Sequence, residues 1–505
     1  MRKTKIIWLV IFIFGFLIRG TEVFHSIDTE SWRESDESSI ARNYFRNGMD
    51  FSHPQIDWGG TGPGYTESEF PVYPYLIALS YKIFGLWEPA GRVISLIFSL
   101  MTLLVFFRFS KYLFEKRTAV VVASFFALSP LLAITSVTIQ PESVMFFFYV
   151  SSAYCFTVWI ENQSVKYFVL AALATALTIL CKVPSVNIGL LFLILIVIKK
   201  GWNFLIKPKV LLFGILSIVP PVIWYFYTHE FYLEYGNSLG ISNEYAWIGW
   251  DFFTKKYYIM GIIKNQVKYI WTYSGVLLVI WAFLSRSINR KLIILPLIWF
   301  GATILFYVVA SKTASDEWAF YYHIFSVPSV SMLLGISFMA LYDKYLPNRQ
   351  KDNSVPLNHS SQKEIRVLGY ITFVIAGIFL ALSLSTIYYK KKNVITRSKY
   401  YDYKDDLAGR IPGKSIILAS GGWRGTDERP FAYNSSYFFY WLDLKGYNIS
   451  IEDQSMNKVL EYKNKGASYF IAETWALELR PGFSEELRKS LKVEFESDEI
   501  ILFKL

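Results

Sequence analysis

Residues 28–75 read DTESWRESDESSIARNYFRNGMDFSHPQIDWGGTGPGYTESEFPVYPY, a polar stretch between a first apolar span and a long apolar body. It gathers Asp28, Glu30, Glu34, Asp36, Glu37, Asp57, Glu67 and Glu69 beside Arg33, Arg42 and several aromatic residues. Carboxylates this dense near a bilayer surface point to chemistry; the plainer alternative is a solvated loop whose charges keep it in water. From Asp36 to Asn47, Ile40, Tyr44 and Phe45 fall at helical spacing. The segment reads as a short helix capped by Ser35 or Asp36 and ended by Gly48, with Asp36 in its first turn. The glycines at 59, 60, 62 and 64, with Pro63, allow tight turns and close approach of backbone to a ligand.

Working outward, the 505 residues are 53% hydrophobic and 18% aromatic, too apolar for a soluble chain of this size. The sequence predicts a polytopic α-helical membrane protein with about eleven spans, at roughly 6–19, 90–113, 118–135, 141–160, 167–181, 184–198, 210–228, 268–285, 291–310, 323–342 and 367–388. The net charge of +11 does not indicate nucleic acid, because the Lys and Arg residues cluster in short segments between spans. Arg108, Lys111, Lys116, Arg117, Lys166, Lys199, Lys200, Lys207, Lys209, Arg286, Arg290, Lys291, Lys344, Arg349, Lys351, Lys363 and Arg366 fall in alternate loops. That alternation places the N-terminus in the cytoplasm and the C-terminus outside, with Lys390 to Lys392 the one departure. The opening M-R-K-T-K and Ile6 to Leu17 read as a retained signal anchor, since no small-residue cleavage site follows. Cys155 and Cys181 lie in apolar stretches and imply no disulfide framework.

The division expected is a transmembrane catalytic domain, 1–390, with a large first outer loop at 20–89, and an extracytoplasmic α/β domain at 391–505. In the latter, apolar runs shrink to strand length at Ser415 to Ala419, Ala467 to Ala472 and Ile500 to Phe503, with helical patterns at Gln454 to Lys463 and Ser484 to Lys489. Gly421, Gly422 and Gly425 form a turn that matches neither a Rossmann nor a P-loop fingerprint. The His229 to Lys268 loop carries Trp247, Trp250, Phe252, Phe253, Tyr257 and Tyr258, either an interfacial anchor or a substrate contact. Asn162, Asn358, Asn434 and Asn448 begin N-x-S triplets, which recur by chance.

Metalloprotease, serine hydrolase and NTPase motifs are missing, and the five histidines have no metal-ligand spacing. What remains is a set of carboxylates, boundary cations and aromatics, which suits glycosyl transfer from a lipid-borne donor. A sugar on a lipid phosphate already has a good leaving group, so one base and one cation suffice. The base deprotonates an acceptor hydroxyl that attacks opposite the phosphate, inverting the anomeric centre. The cation stabilises the departing phosphate.

The run from Trp32 to Tyr44 and the run from Asp57 to Tyr75 resemble the bacterial GT-C glycosyltransferases related to protein O-mannosyltransferases and to the aminoarabinose transferase that modifies lipid A. The resemblance places Asp36 at the family's catalytic carboxylate. It places Glu69, before F-P-V-Y-P-Y, at a sugar or acceptor contact, Glu142 in Q-P-E-S at the acidic residue of the next outer turn, and Lys182 in L-C-K-V-P against the lipid phosphate. Arg33 and Arg42 are candidates to reach that phosphate or to pair with neighbouring carboxylates. Tyr321 and Tyr322 resemble the family's paired tyrosines, but here His323 follows them, where many relatives carry a His before; an interfacial, satisfied histidine is the plainer reading. No metal site or cofactor is implied. The expectation is therefore a metal-independent, inverting glycosyltransferase of the inner membrane that moves a sugar from a polyprenyl-phosphate donor to a glycan, lipid or protein acceptor. A flippase of lipid-linked glycans and a non-catalytic envelope scaffold are the alternatives; transporters usually bury ionisable groups mid-membrane, which these spans lack.

Overall fold

The computed structural model describes residues 2–242, 255–346, 359–423 and 434–505. Trp247, Trp250, Phe252, Phe253, Arg349, Lys351, Asn358 and Gly425 lie outside the described residues. Helix α1 (Arg2–Gly20) is apolar and ends on Arg19, whose guanidinium turns inward to the carbonyl of Ala127 at 2.6 Å and the hydroxyl of Ser99 at 3.2 Å. Two helices follow in the first loop, α2 (Trp32–Arg46) and α3 (Val72–Phe84).

The expected helix over 36–47 exists but starts four residues earlier. Ser31 is the cap, its hydroxyl accepting from the Glu34 amide at 3.3 Å, so Asp36 lies beyond the first turn. The S-x-x-E signature of Ser31 and Glu34 is a stronger start signal than Ser35 or Asp36. Gly48 closes the helix as expected, at φ +96°.

Every residue of α2 from Glu34 to Tyr44 is buried, although most are polar. Such a helix stands only if its polar groups find partners. Arg92 takes Glu34 in a two-bond ion pair at 2.8 and 2.9 Å, and the Ile139 amide donates to the same carboxylate at 3.1 Å. At the other end, Arg42 and Asn43 donate to Asp57 at 2.7 and 2.9 Å.

The apolar body comprises α4 (Ala90–Leu113), α5 (Lys116–Ala127), α6 (Pro130–Thr135), α7 (Glu142–Asn162), α8 (Val165–Cys181), α9 (Ile188–Lys200), α10 (Pro208–Tyr235), α11 (Lys256–Gln266), α12 (Thr272–Leu284), α13 (Arg290–Val309), α14 (Ser311–Ala314), α15 (Val327–Tyr345) and α16 (His359–Val394). Among the described residues, eight helical stretches are long and apolar enough to cross a membrane, and Ile6–Gly20 and Val165–Cys181 are shorter apolar helices. The chain is a multi-span membrane protein. The span expected at 118–135 is instead two helices, because Pro130 has no amide to continue the ladder and bars helical geometry at Ser129. Burial sorts the stretches: 89% of the apolar window in Phe320–Tyr345 and 78% of that in Glu142–Asn162 are enclosed, against 22% for Arg366–Val394. Helices α7 and α15 therefore form the centre and α16 the rim.

The C-terminal segment is the expected small α/β domain, with α17 (Lys404–Arg410), β1 (Ile416–Ser420), α18 (Tyr437–Leu442), β2 (Lys445–Ile449), α19 (Met456–Asn464), β3 (Ala467–Glu473), α20 (Thr474–Glu478), α21 (Pro481–Ser490), β4 (Lys492–Glu496) and β5 (Ile500–Lys504). The sheet order is β2-β1-β3-β5-β4; β1 pairs parallel with β2 and β3, and β3, β5 and β4 are antiparallel neighbours. Strands β2 and β4 escape sequence reading because KGYNI and KVEFE carry too few apolar residues. The domain sits directly on the first loop. Ser436 donates to the Trp32 carbonyl at 2.9 Å, Trp441 donates to the Ile27 carbonyl at 2.7 Å, and the Gly60 and Gly446 backbones interlock at 2.7 and 3.0 Å through Gly446 and Asp57 carbonyls. At this seam a Cβ on Gly60, at φ +74°, would meet the Tyr447 ring at 2.2 Å, so only glycine permits the approach.

Removing Arg92 alone leaves the Glu34 carboxylate buried and unpaired. Arg92→Met is expected to cost on the order of 3–5 kcal/mol, read as a lowered melting temperature of the purified protein in detergent. An unchanged melting temperature would show that the pair does not hold α2.

Candidate active site

Arg33, Glu37 and Ile40 recur at helical spacing and share one face of α2. Opposite them, four chain segments end at the same end of the helical bundle. Glu69 precedes the proline-rich entry to α3. Glu142 is the first residue of α7, where the positive end of the helix dipole favours a carboxylate; Lys182 follows the last residue of α8, where the negative end favours a cation. Tyr321 and Tyr322 lie on a tight turn, Phe320–Ser326, leading into α15.

These residues meet. Lys182 is buried in an ion pair with Glu142, stands 3.7 Å from Glu69, and faces the rings of Tyr321 and Tyr322 at 5.1 and 5.4 Å. Arg33 lies 3.7 Å from Glu69 and 3.8 Å from Glu37. A narrow cleft of ≈ 10 Å³, room for about one water, opens at its mouth and is lined by Arg33, Glu37, Ser68, Glu69 and a proline wall of Pro71, Pro74 and Pro141. Burial disfavours charge on Arg33, but the Glu69 and Glu37 carboxylates outweigh it and hold the guanidinium above its usual range. Burial pushes Glu37 up to about 8, the Arg33 charge offsetting only part of the cost.

Asp36 occupies the flank of α2 beside this cluster. Its Oδ1 accepts from the Trp58 indole at 2.9 Å. Burial pushes the Asp36 carboxyl up to about 7, against the Trp58 hydrogen bond and the Arg33 charge, which both lower it. Asp36 Oδ2, Glu142 Oε2 and Arg33 Nη1 are buried with no hydrogen-bond partner among the described residues. Unsatisfied polar atoms gathered this closely mark a place that a polar ligand completes.

Of the residues singled out in the sequence, Arg33, Glu69, Glu142, Lys182, Tyr321 and Tyr322 come together, with Asp36 adjoining them. Arg42 does not join them: it is committed to Asp57 at 2.7 Å and to the Tyr440 carbonyl at 3.0 Å. His323 is buried, accepting from Gln266 at 2.8 Å and donating to the Ala314 carbonyl at 2.8 Å, the satisfied interfacial histidine of the plainer reading. Sequence reasoning counted Glu37 among the loop carboxylates without giving it a role, and passed over Trp58. The spacing of Glu37, one turn after Arg33, was available; the approach of Trp58 to Asp36 depends on the glycine-rich loop folding back. No group of three His, Cys, Asp or Glu side chains among the described residues is disposed to hold a metal ion.

The whole chain superposes on crystal structures of known proteins. ArnT from Cupriavidus metallidurans in the apo state matches with a TM-score of 0.64 at 13% identity, over 98% of this chain and 97% of that one. The chain has the GT-C fold. ArnT bound to undecaprenyl phosphate matches with a TM-score of 0.61 at 13% identity, covering 99% and 97% of the two chains. The Archaeoglobus fulgidus oligosaccharyltransferase in complex with Zn and sulfate matches with 0.55 at 12% identity, over 92% of this chain and 68% of that one. Residues 67–225 match the family model for dolichyl-phosphate-mannose-protein mannosyltransferase. No curated protein matches the chain by sequence. The matched segment contains Glu69, Glu142 and Lys182 and stops short of Asp36 and Arg33.

The Trp58 indole holds the Asp36 carboxyl below the value that burial alone would set. Trp58→Phe is expected to raise its titration midpoint above about 7, followed as the carboxyl stretch in pH-difference infrared spectra with Asp36→Asn as the blank. A midpoint that stays or falls would show that the indole does not tune this group.

Proposed function

We propose that this protein is an integral-membrane, inverting glycosyltransferase that takes a sugar from a polyprenyl phosphate. The observation that carries the reading is the placement of two cations, Arg33 and Lys182, and a set of unsatisfied buried polar atoms beside Asp36 at one end of the bundle. ArnT bound to undecaprenyl phosphate shares the fold, which supports a lipid phosphate as the group those cations receive.

In this reading the Asp36 carboxylate takes the proton from an acceptor hydroxyl. The hydroxyl oxygen bonds to the anomeric carbon as the bond from that carbon to the phosphate oxygen breaks. The leaving electron pair stays on phosphate, where Lys182 and Arg33 balance the added charge. Glu142 and Glu69 keep the two cations in place in the absence of phosphate, and Tyr321 and Tyr322 wall the ammonium. Because cations already stand at the leaving group, the transfer is metal-independent. The site end of the bundle faces outward from a bacterial inner membrane, with the N-terminus cytoplasmic and the C-terminal domain outside, and the acceptor is a glycan, lipid or protein.

Purified wild-type protein is expected to transfer labelled sugar from at least one member of a panel of polyprenyl-phosphate sugars to membrane extract, with or without EDTA, and Asp36→Asn to give no product while still binding donor. Turnover by Asp36→Asn near the wild-type rate would remove Asp36 as the base. Donor carried across a vesicle membrane without product from either protein would replace transfer by transport.

A base must be deprotonated to work, and Asp36 titrates at about 7. The single-turnover rate is therefore expected to rise with pH through neutrality and level off above it. A rate flat from acid to neutral pH would contradict that role.

A further inference from the structure

A second cavity, of ≈ 250 Å³, lies on the other face of α2 from the cleft described above, between the turn joining α3 to α4 and helices α17 and α18. At 100° per residue, Arg42 and Arg46 stand about half a turn around the helix from Arg33 and Glu37, and Asp36 lies on the flank between the two faces. The volume matches roughly eight waters. Its wall is aromatic, with Tyr81, Trp87, Tyr440 and Trp441, and its polar groups come from Arg42, Arg46, Glu88, Lys404 and Asp443.

The charges there are already balanced. Arg42 is paired with Asp57, Arg46 makes two bonds to Asp443 at 2.7 and 2.8 Å, and Glu88 and Lys404 add one charge of each sign to the lining. An anion would gain little in such a place. A neutral polyhydroxyl ring fits it: aromatic faces pack against its C–H groups while fixed carboxylates and guanidinium groups exchange hydrogen bonds with its hydroxyls. The rim is apolar: Ile83, Phe84, Leu86 and Phe24 are 75%, 70%, 52% and 72% exposed, and the rings of Phe24 and Phe84 each lie 6.3 Å from that of Trp87. Ile83, Phe84 and Leu86 come shortly before α4, one of the membrane-crossing stretches, and Phe24 shortly after the apolar helix α1, so the rim sits at bilayer level.

We infer that this cavity is a subsite for the neutral sugar head of a lipid-anchored glycan, held across α2 from the cations that receive the donor phosphate. Its role as an acceptor subsite rests on the glycosyl-transfer reading; its binding of sugar does not.

The test is saturation-transfer NMR on the full chain in nanodiscs, with methyl and hexyl glycosides of glucose, galactose and mannose, and with inorganic phosphate as competitor. At least one glycoside is expected to bind wild type and Asp36→Asn equally, the hexyl form more tightly than the methyl form. Phosphate should not compete. Trp87→Ala and Glu88→Gln, each with a wild-type melting temperature, should weaken binding about tenfold or more. Absence of glycoside binding, binding unaffected by both substitutions, or displacement by phosphate would each overturn the inference. If Asp36→Asn binds glycoside and neither protein transfers sugar, the subsite stands and the transferase reading falls.

Discussion

A polar helix buried along eleven consecutive residues is the constraint around which this molecule is built. Each charge on α2 that leaves water must be met by another buried group, and the rest of the chain supplies them from far away in sequence. Arg92 comes from the first long apolar helix, Asp57 from the glycine-rich loop, and Ser436 and Tyr440 from the C-terminal domain. The helix is thereby clamped between membrane body and outer domain, with its register fixed at both ends. Arg33 and Asp36, like Ser35, Ser39 and Arg42, keep a buried polar atom with no hydrogen-bond partner among the described residues, and Arg33, Asp36 and Glu37 form the helix's part of the candidate site.

The opposing half of the site follows from helix termini. Glu142 and Lys182 stand where two helix dipoles favour their charges, and their mutual attraction joins α7 to α8 at the same level as Glu69. Such a cluster is costly to assemble in a dry environment and is held by packing around it, notably the nearly enclosed α15 whose entry turn brings Tyr321 and Tyr322 over the ammonium. Rigid walls of Pro71, Pro74 and Pro141 restrict the cleft further. Preorganised charge in a confined space is what stabilises a leaving phosphate most strongly.

Much of this was legible in the sequence, for a physical reason. Apolar spans stand out by hydropathy and leave their short polar turns in view, and the resemblance to GT-C glycosyltransferases then singled out Glu142, Lys182 and the tyrosine pair within those turns. The break at Pro130 and the Ser31 cap were local signals outweighed by the apolar run and by the carboxylates downstream. Other features were not local at all. Nothing near Arg42 in sequence distinguishes it from Arg33, and only the fold commits it to Asp57 and Tyr440. The approach of Trp58 to Asp36 and the strand of KGYNI beside β1 likewise arise from long-range packing.

The claim on which the account turns is that Arg33 and Lys182 receive a lipid phosphate next to Asp36. A structure of the full chain in nanodiscs with a polyprenyl phosphate bound tests it most directly. The account predicts phosphate oxygens within hydrogen-bonding distance of both cations, with the lipid tail leaving toward the apolar body. A phosphate seated away from both side chains, or at the opposite end of the bundle, would contradict it.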